Sequence, residues 1–408
     1  MEEGIKVARY QNNFILHFLI VYWIAQQGMD FVLTYLAPEN IYNLMKLLFN
    51  IVMYATIIAG VMLALRKEIL KEAFAIVIGF AILFVINILI YPENMDVIRI
   101  IVKISITTIP CYLLVRSEIE SVLLIKIIAG ISYFIIPLVT IIQVTGRNIS
   151  INNYLNVSYA LLPYLIVLIG LQYKKFHFIR LLFIVLGILI MIVYGGRMPL
   201  VILFFSFVLY EIKALGVRKN NPKNILKYIL FFFVSFMFLF YVNPIKHFVL
   251  TKYMEQNTYS RTIVRILESN LFDNSGRDVI YKNSIQLIME HPIVGNGIGA
   301  DSIMIREKKL YSPNYDVNNI GGLHAHNGIL EFGIEFGLIL LVFSILILGK
   351  GCITAYRKLE MGNDFIFLVL LLSIGIIRTI LGSPYWYNQS FWMAIAWIVT
   401  ICRKQVKQ

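Results

Sequence analysis

An arginine stands directly after glycine both in Tyr194-Gly195-Gly196-Arg197-Met198-Pro199 and in Ser275-Gly276-Arg277. Further on comes His324-Ala325-His326-Asn327-Gly328, ahead of an apolar run that holds Glu331 and Glu335. Pro199, Asp273-Asn274-Ser275 and Asn327 are residue types that begin helices. Arg197, Arg277 and His326 are therefore each expected at a helix N-terminus. The macrodipole is positive there, so an added cation is unfavourable by about 0.3–1 kcal/mol unless an anion is bound. Helix starts that carry arginine make phosphate sites. A histidine among them titrates near neutral pH and can take a proton from a hydroxyl. The chemistry suggested is anion binding coupled to proton abstraction.

Arg378 is a fourth cation, set inside the apolar run Ile376-Ile377-Arg378-Thr379-Ile380. A charge within a membrane-spanning stretch is costly and marks a candidate ligand for substrate. Lys103, four residues after Arg99 on one helix face, adds to the same field. Plainer readings stand beside these. Arg197, Arg99 and Lys103 can snorkel to lipid headgroups. Arg277 can pair with Asp273 or Asp278, and Arg378 can neutralise Asp30 or Glu335. Asn327 taken alone is an N-cap, and His324 a loop residue. His324 and His326 could instead hold a metal, but no His-Glu-x-x-His or Asp-x-Asp accompanies them, so no metal is expected. Gly295-Asn296-Gly297-Ile298-Gly299 has the glycine density of a nucleotide loop. It lacks a preceding strand and reads as a turn with φ > 0 positions.

The elements that must position these residues are membrane helices. The chain is 59% hydrophobic and 14% charged, whereas soluble domains carry about 25% charged residues. About twelve apolar runs are long enough to cross the roughly 30 Å hydrocarbon core: 14–36, 41–65, 69–91, 97–115, 119–143, 154–172, 177–195, 198–215, 224–242, 327–349, 364–382 and 385–402. This predicts an all-α polytopic membrane protein in three parts: nine spanning helices over 1–242, one large loop over 243–326, and three further spans over 327–408. Within the loop, Val279, Ile280, Ile285, Leu287 and Ile288 recur at helical spacing and predict a short amphipathic helix over 276–290, ended by His291-Pro292. The first span lacks a small-residue cleavage site and reads as a retained anchor.

The net charge of +13 sorts by loop. Arg66, Lys67, Arg116, Lys174, Lys175, Lys213, Arg218, Lys358, Arg403 and Lys404 fall in alternate loops, while 37–40 and 92–96 carry almost no Lys or Arg. By the positive-inside rule both termini are cytoplasmic and the 243–326 loop is extracytoplasmic. Charge distributed in this way orients the chain and argues against nucleic-acid binding. Cys111, Cys352 and Cys402 are scattered on the inner side, so no disulfide is expected.

The ordered motifs at 194–199 and 275–340, with Glu335-Phe336-Gly337-Leu338 closing them, resemble the O-antigen polymerase and ligase superfamily of bacterial polysaccharide assembly. The plan of about a dozen spans with one large outer loop in the second half agrees. The resemblance implies glycosyl transfer at the outer face of the bacterial cytoplasmic membrane, from a glycan carried on undecaprenyl pyrophosphate. It implies no cofactor, metal or nucleotide sugar, and a partner that sets chain length. Arg197 and Arg277 then correspond to arginines that hold the pyrophosphate, and His326 to the histidine that activates the acceptor hydroxyl. Gly195-Gly196-Arg197 departs from relatives that carry serine before the arginine. Lys103, His324, Asn327, Glu335 and Arg378 complete the expected set as pyrophosphate or glycan ligands, with Glu335 placed to orient His326 or an arginine. A polymerase of O-antigen or capsule repeat units is favoured, with a ligase to the lipid A-core of lipopolysaccharide as the alternative. A flippase for lipid-linked oligosaccharide is the reading from another class, but it should show two related halves and cations along a central path.

Overall fold

A computed structural model of the chain describes residues 17–24, 67–92, 97–117, 119–144, 154–194, 197–218, 277–308 and 324–403, with isolated positions between 28 and 62. Among these residues all regular structure is helical. The elements are α1 (Lys67–Ile90), α2 (Val97–Lys103, a π segment Ile104–Thr108, then Ile109–Arg116), α3 (Ser121–Val144), α4 (Tyr154–Lys174), α5 (Phe178–Tyr194) and α6 (Arg197–Arg218). After the large loop come α7 (Arg277–Glu290), α8 (Ala300–Glu307), α9 (Gly328–Lys358), α10 (Asn363–Leu371, a π segment Leu372–Ile377, then Arg378–Gly382) and α11 (Gln389–Arg403).

Six described helices are long and apolar enough to cross a membrane: Ile69–Ile90, Ser121–Ile142, Val157–Lys174, Met198–Gly216, Gly328–Lys358 and Asn363–Gly382. The expected spans at 97–115 and 177–195 appear as α2, broken by its π segment, and as the 17-residue α5. The last span begins at Gln389, because Tyr385, Trp386 and Tyr387 form a turn. Spans 41–65 and 224–242 lie outside the continuously described residues, as do most of 14–36 and of the 243–326 loop.

Apolar on every side, α4 and α10 occupy the centre of the bundle. Every residue from Phe365 to Leu371 is fully buried, as are Leu161 and Leu165 to Leu168. They are wrapped by α3, α5, α6 and α11. By contrast α1 exposes Phe74, Ile82, Val85 and Leu89 along its length, as a lipid-facing helix does. Small residues set the closest approaches. A Cβ on Gly375 would lie 2.4 Å from the Ser390 carbonyl oxygen, which locks α10 against α11.

The basic residues gather at one end of the bundle. Arg116 and Arg403 both bind Glu72, at 2.9 and 2.6 Å. Nearby, Lys358 donates to the Cys402 carbonyl and Lys213 to that of Tyr356. α10 runs from that end for twenty residues, about 30 Å of helix. Its far end meets the histidine motif, where Gly328 rests on Thr379.

Candidate active site

Helix α7 is described from Arg277 to Glu290, and its expected cap residues Asp273-Asn274-Ser275 lie outside the described residues. Ile280, Ser284, Leu287 and Ile288 form its buried face against α9. Ile285, expected on that stripe, is 54% exposed, because Ser284 takes the i+4 position after Ile280. Tyr281 lies one turn after Arg277 on the same face and donates its hydroxyl to the His326 carbonyl at 3.3 Å. The starts of α7 and α9 are thereby joined.

His326 has φ of 50°, in the left-handed region that non-glycine residues seldom occupy. Its ring centroid is 4.0 Å from that of His324. Asn327 caps α9, accepting from the amides of Ile329 and Leu330 at 2.9 and 3.3 Å. Gly328 then rests on α10: a Cβ there would fall 2.5 Å from Thr379 Cγ2. Arg378 is the next residue back along α10, so the histidine turn and Arg378 are neighbours.

A π segment ends at Arg378 and changes the local carbonyl pairing. Asn388 Nδ2 donates to the carbonyls of Ile374 and Gly375 and to Thr379 Oγ1, at 3.4, 3.2 and 2.9 Å. The Arg378 guanidinium lies 4.3 Å from the Tyr159 ring centroid, a stacked cation–π arrangement. Lys103 Nζ sits 4.1 Å from the Tyr387 ring. Both aromatic rings line one cavity together with Arg378.

Arg197 begins α6, which packs against the end of α10. The two helices run antiparallel, tied by Ser206 Oγ and Ser373 Oγ at 2.7 Å. At about 1.5 Å rise per residue, nine residues back from Ser206 and five on from Ser373 place Arg197 beyond Arg378 in the same direction, by roughly one helical turn. The side chains of Arg99, Arg197 and Arg277 lie outside the described part of the structure.

The glycine loop docks into a break in α9. Gly337 has φ of 78° and interrupts the helical ladder. The Ile334 carbonyl accepts instead from the Asn296 amide at 2.8 Å, and the Leu338 amide donates to the Pro292 carbonyl at 2.7 Å. Gly295, Gly297 and Gly299 all have positive φ, as a turn of this composition requires. Glu335 completes the join. It accepts from the Gly299 amide at 2.7 Å, from Trp386 Nε1 at 2.8 Å and from the Tyr385 hydroxyl. Glu335 thus ties the loop to the turn before α11; among the described residues its hydrogen bonds go to Gly299, Tyr385 and Trp386 and not to His326.

Beside Glu335 lie two carboxylates whose grouping was not legible in the sequence. Asp301, Glu331 and Glu335 are all buried, each with an oxygen within 4.8 Å of the others, close enough to hold a metal ion. Asp301 accepts from the Ala325 amide at 3.2 Å, inside the His-x-His turn. Burial pushes its carboxyl above the ordinary 3.8, opposed by that amide and by the nearby His324. Glu331 and Glu335 are one turn apart on α9 and share a face by spacing alone; nothing in the sequence announced Asp301 as the third member.

Residues 153–345 match the family described as O-Antigen ligase. The match supports the O-antigen polymerase and ligase superfamily that the ordered motifs resemble. No curated protein and no solved structure matches significantly. Members of the O-antigen ligase family are glycosyltransferase-like enzymes, and the family implies a lipid-linked glycan substrate at a membrane. The apolar helices fit that setting. The matched segment contains Arg197, Arg277, His326 and Glu335; Lys103 and Arg378 lie outside it.

Tyr281, Thr379, Asn388, Tyr159 and Tyr387 went unremarked in the sequence. Tyr281 could have been found from its spacing after Arg277. Tyr159, Tyr387 and Asn388 come from α4 and from the turn before α11, whose packing against Arg378 and Thr379 carries no local signal.

Proposed function

We propose that the protein is a polymerase of undecaprenyl-pyrophosphate-linked polysaccharide repeat units, of O-antigen or capsule type. It works at the outer face of the bacterial cytoplasmic membrane, with about twelve spans, cytoplasmic termini and the 243–326 loop outside. The observation that carries this reading is the run of contacts that joins α7 to the His326 turn of α9, that turn to α10 beside Arg378, and α10 to α6, the helix that holds Arg197.

The donor pyrophosphate lies among Arg197, Arg277 and Arg378, with Lys103 adding positive potential. Fixed cations and helix N-termini aimed at this point stabilise the charge that develops on the leaving group. His326 takes the proton of an acceptor sugar hydroxyl. The hydroxyl oxygen then bonds to the anomeric carbon as the carbon–oxygen bond to pyrophosphate breaks. The electron pair leaves with lipid pyrophosphate, and the centre inverts. His324 and Asn327 hold the His326 turn, and no metal takes part. Chain length is set by a separate partner.

Ligation to lipid A-core is the second reading, supported by the description of the matched family. Purified protein given lipid-linked repeat units alone separates the two. A ladder of products supports the polymerase. Transfer that occurs only once lipid A-core is added replaces it with the ligase.

A further inference from the structure

Beside Arg378 the bundle encloses a cavity of about 180 Å³. Pockets for drug-sized ligands measure about 300–1,000 Å³, so this space suits a single sugar ring better than an oligosaccharide. Its lining has the composition that sugars require. Trp23, Tyr159 and Tyr387 supply aromatic walls, and Ser383, Gln389 and Ser390 supply hydroxyl and amide groups. Aromatic rings pack on the C–H faces of a pyranose, while amides and hydroxyls can both donate to and accept from its hydroxyls.

The polar groups also have capacity to spare. The side chains of Ser383, Gln389 and Ser390 make no hydrogen bond to the described residues, although Ser390 is only 9% exposed. Trp23 is 6% exposed, and its buried indole Nε1 likewise has no partner among the described residues. Buried polar groups are ordinarily satisfied. The Trp23 Nε1 group is the buried unsatisfied one at this cavity, and with the half-buried Ser383 and Gln389 side chains beside it, it points to a ligand that supplies the missing partner. Asn388, by contrast, is committed to the α10 carbonyls and Thr379, so it holds the rim in shape. Arg378 stands in the wall, which puts a phosphate-binding group beside a sugar-sized space.

We infer that this cavity is a monosaccharide subsite, which takes the sugar joined directly to the donor pyrophosphate and fixes its orientation against Arg378. The inference rests on the donor chemistry proposed above. Gln389, Ser383 and Ser390 select the hydroxyl pattern of that first sugar, and Tyr387 gives it a face.

The test compares two lipids on the purified full-length chain in detergent: undecaprenyl pyrophosphate bearing one sugar, and the same lipid without it. The sugar is expected to tighten binding by about tenfold, the equivalent of one or two net hydrogen bonds. That ratio should fall towards one in Gln389→Ala and in Tyr387→Leu, and persist in Tyr387→Phe, which keeps the ring. Because the readout is a ratio within each variant, a general loss of folded protein does not mimic it. Equal affinity of wild type for both lipids would overturn the subsite while leaving the donor reading intact. An unchanged ratio in Gln389→Ala and Tyr387→Leu would place the sugar elsewhere and overturn it too. Failure of either lipid to bind would remove the donor reading and this inference with it.

Discussion

Tyr281 donates its hydroxyl to the main-chain carbonyl of His326, 3.3 Å away. This contact joins the first turn of α7, which begins at Arg277, to the turn that presents the proposed base. His326 already occupies a left-handed conformation, so its position depends on such restraints. Tyr281→Phe removes one hydrogen bond, with an expected stability cost of about 0.5–1.5 kcal/mol. Turnover should fall by roughly tenfold, since misplacing a catalytic group costs rate more than stability. Kinetics and thermal melts of the same preparation would check this; equal losses in folded fraction and rate would make Tyr281 merely structural.

The docking of the glycine loop into α9 leaves no room for side chains. A Cβ on Gly295 would lie 2.3 Å from the Glu335 carbonyl oxygen, at φ of 77°. The left-handed backbone alone costs an alanine about 1–2 kcal/mol, and the overlap adds to it. Gly295→Ala is therefore expected to lower the melting temperature and abolish transfer. An active, fully stable Gly295→Ala protein would show that the loop does not sit in the α9 break.

Asp301 makes stability depend on pH. Its carboxyl is held above the ordinary 3.8, chiefly by burial, beside Glu331, Glu335 and His324. A raised native value means that the folded state favours the protonated form. The stabilisation is complete below the ordinary value and is lost as pH climbs through the raised one. Asp301→Asn stays neutral and keeps an acceptor for the Ala325 amide. Its melting temperature should exceed that of wild type at pH 8, with the gap closing towards pH 4. A gap that widens towards pH 4 would contradict this account.

The same three carboxylates make metal independence a measurable claim. Prolonged chelation followed by gel filtration is expected to leave transfer unchanged. Loss of activity that returns with a divalent cation would assign Asp301, Glu331 and Glu335 a metal and revise the mechanism.

Much of this arrangement was readable from residue types. Asn327 as a cap and the positive φ of Gly295, Gly297 and Gly299 follow from local backbone rules. The membrane character follows from hydrophobic runs of sufficient length. Other features were illegible because they depend on contacts distant in sequence. Glu335 looked like a partner for His326, yet Tyr385 and Trp386, fifty and fifty-one residues on, take it instead. The π segments in α2 and α10 and the break at Gly337 depend on neighbouring chains to satisfy the freed backbone groups, as Asn388 and Pro292 do. Hydropathy also overstated the last span, because apolar Tyr385 and Trp386 form a buried turn.

The central claim is that arginine-bound lipid pyrophosphate leaves as His326 deprotonates the acceptor. Its most direct test is product formation on a gel from purified wild type, Arg277→Ala and His326→Ala, each supplied with the same lipid-pyrophosphate-linked repeat units. The account predicts a ladder from wild type and at least about a hundredfold less product from each variant, the range expected for loss of a general base or of leaving-group stabilisation, at equal amounts of folded protein. A normal ladder from His326→Ala would contradict it.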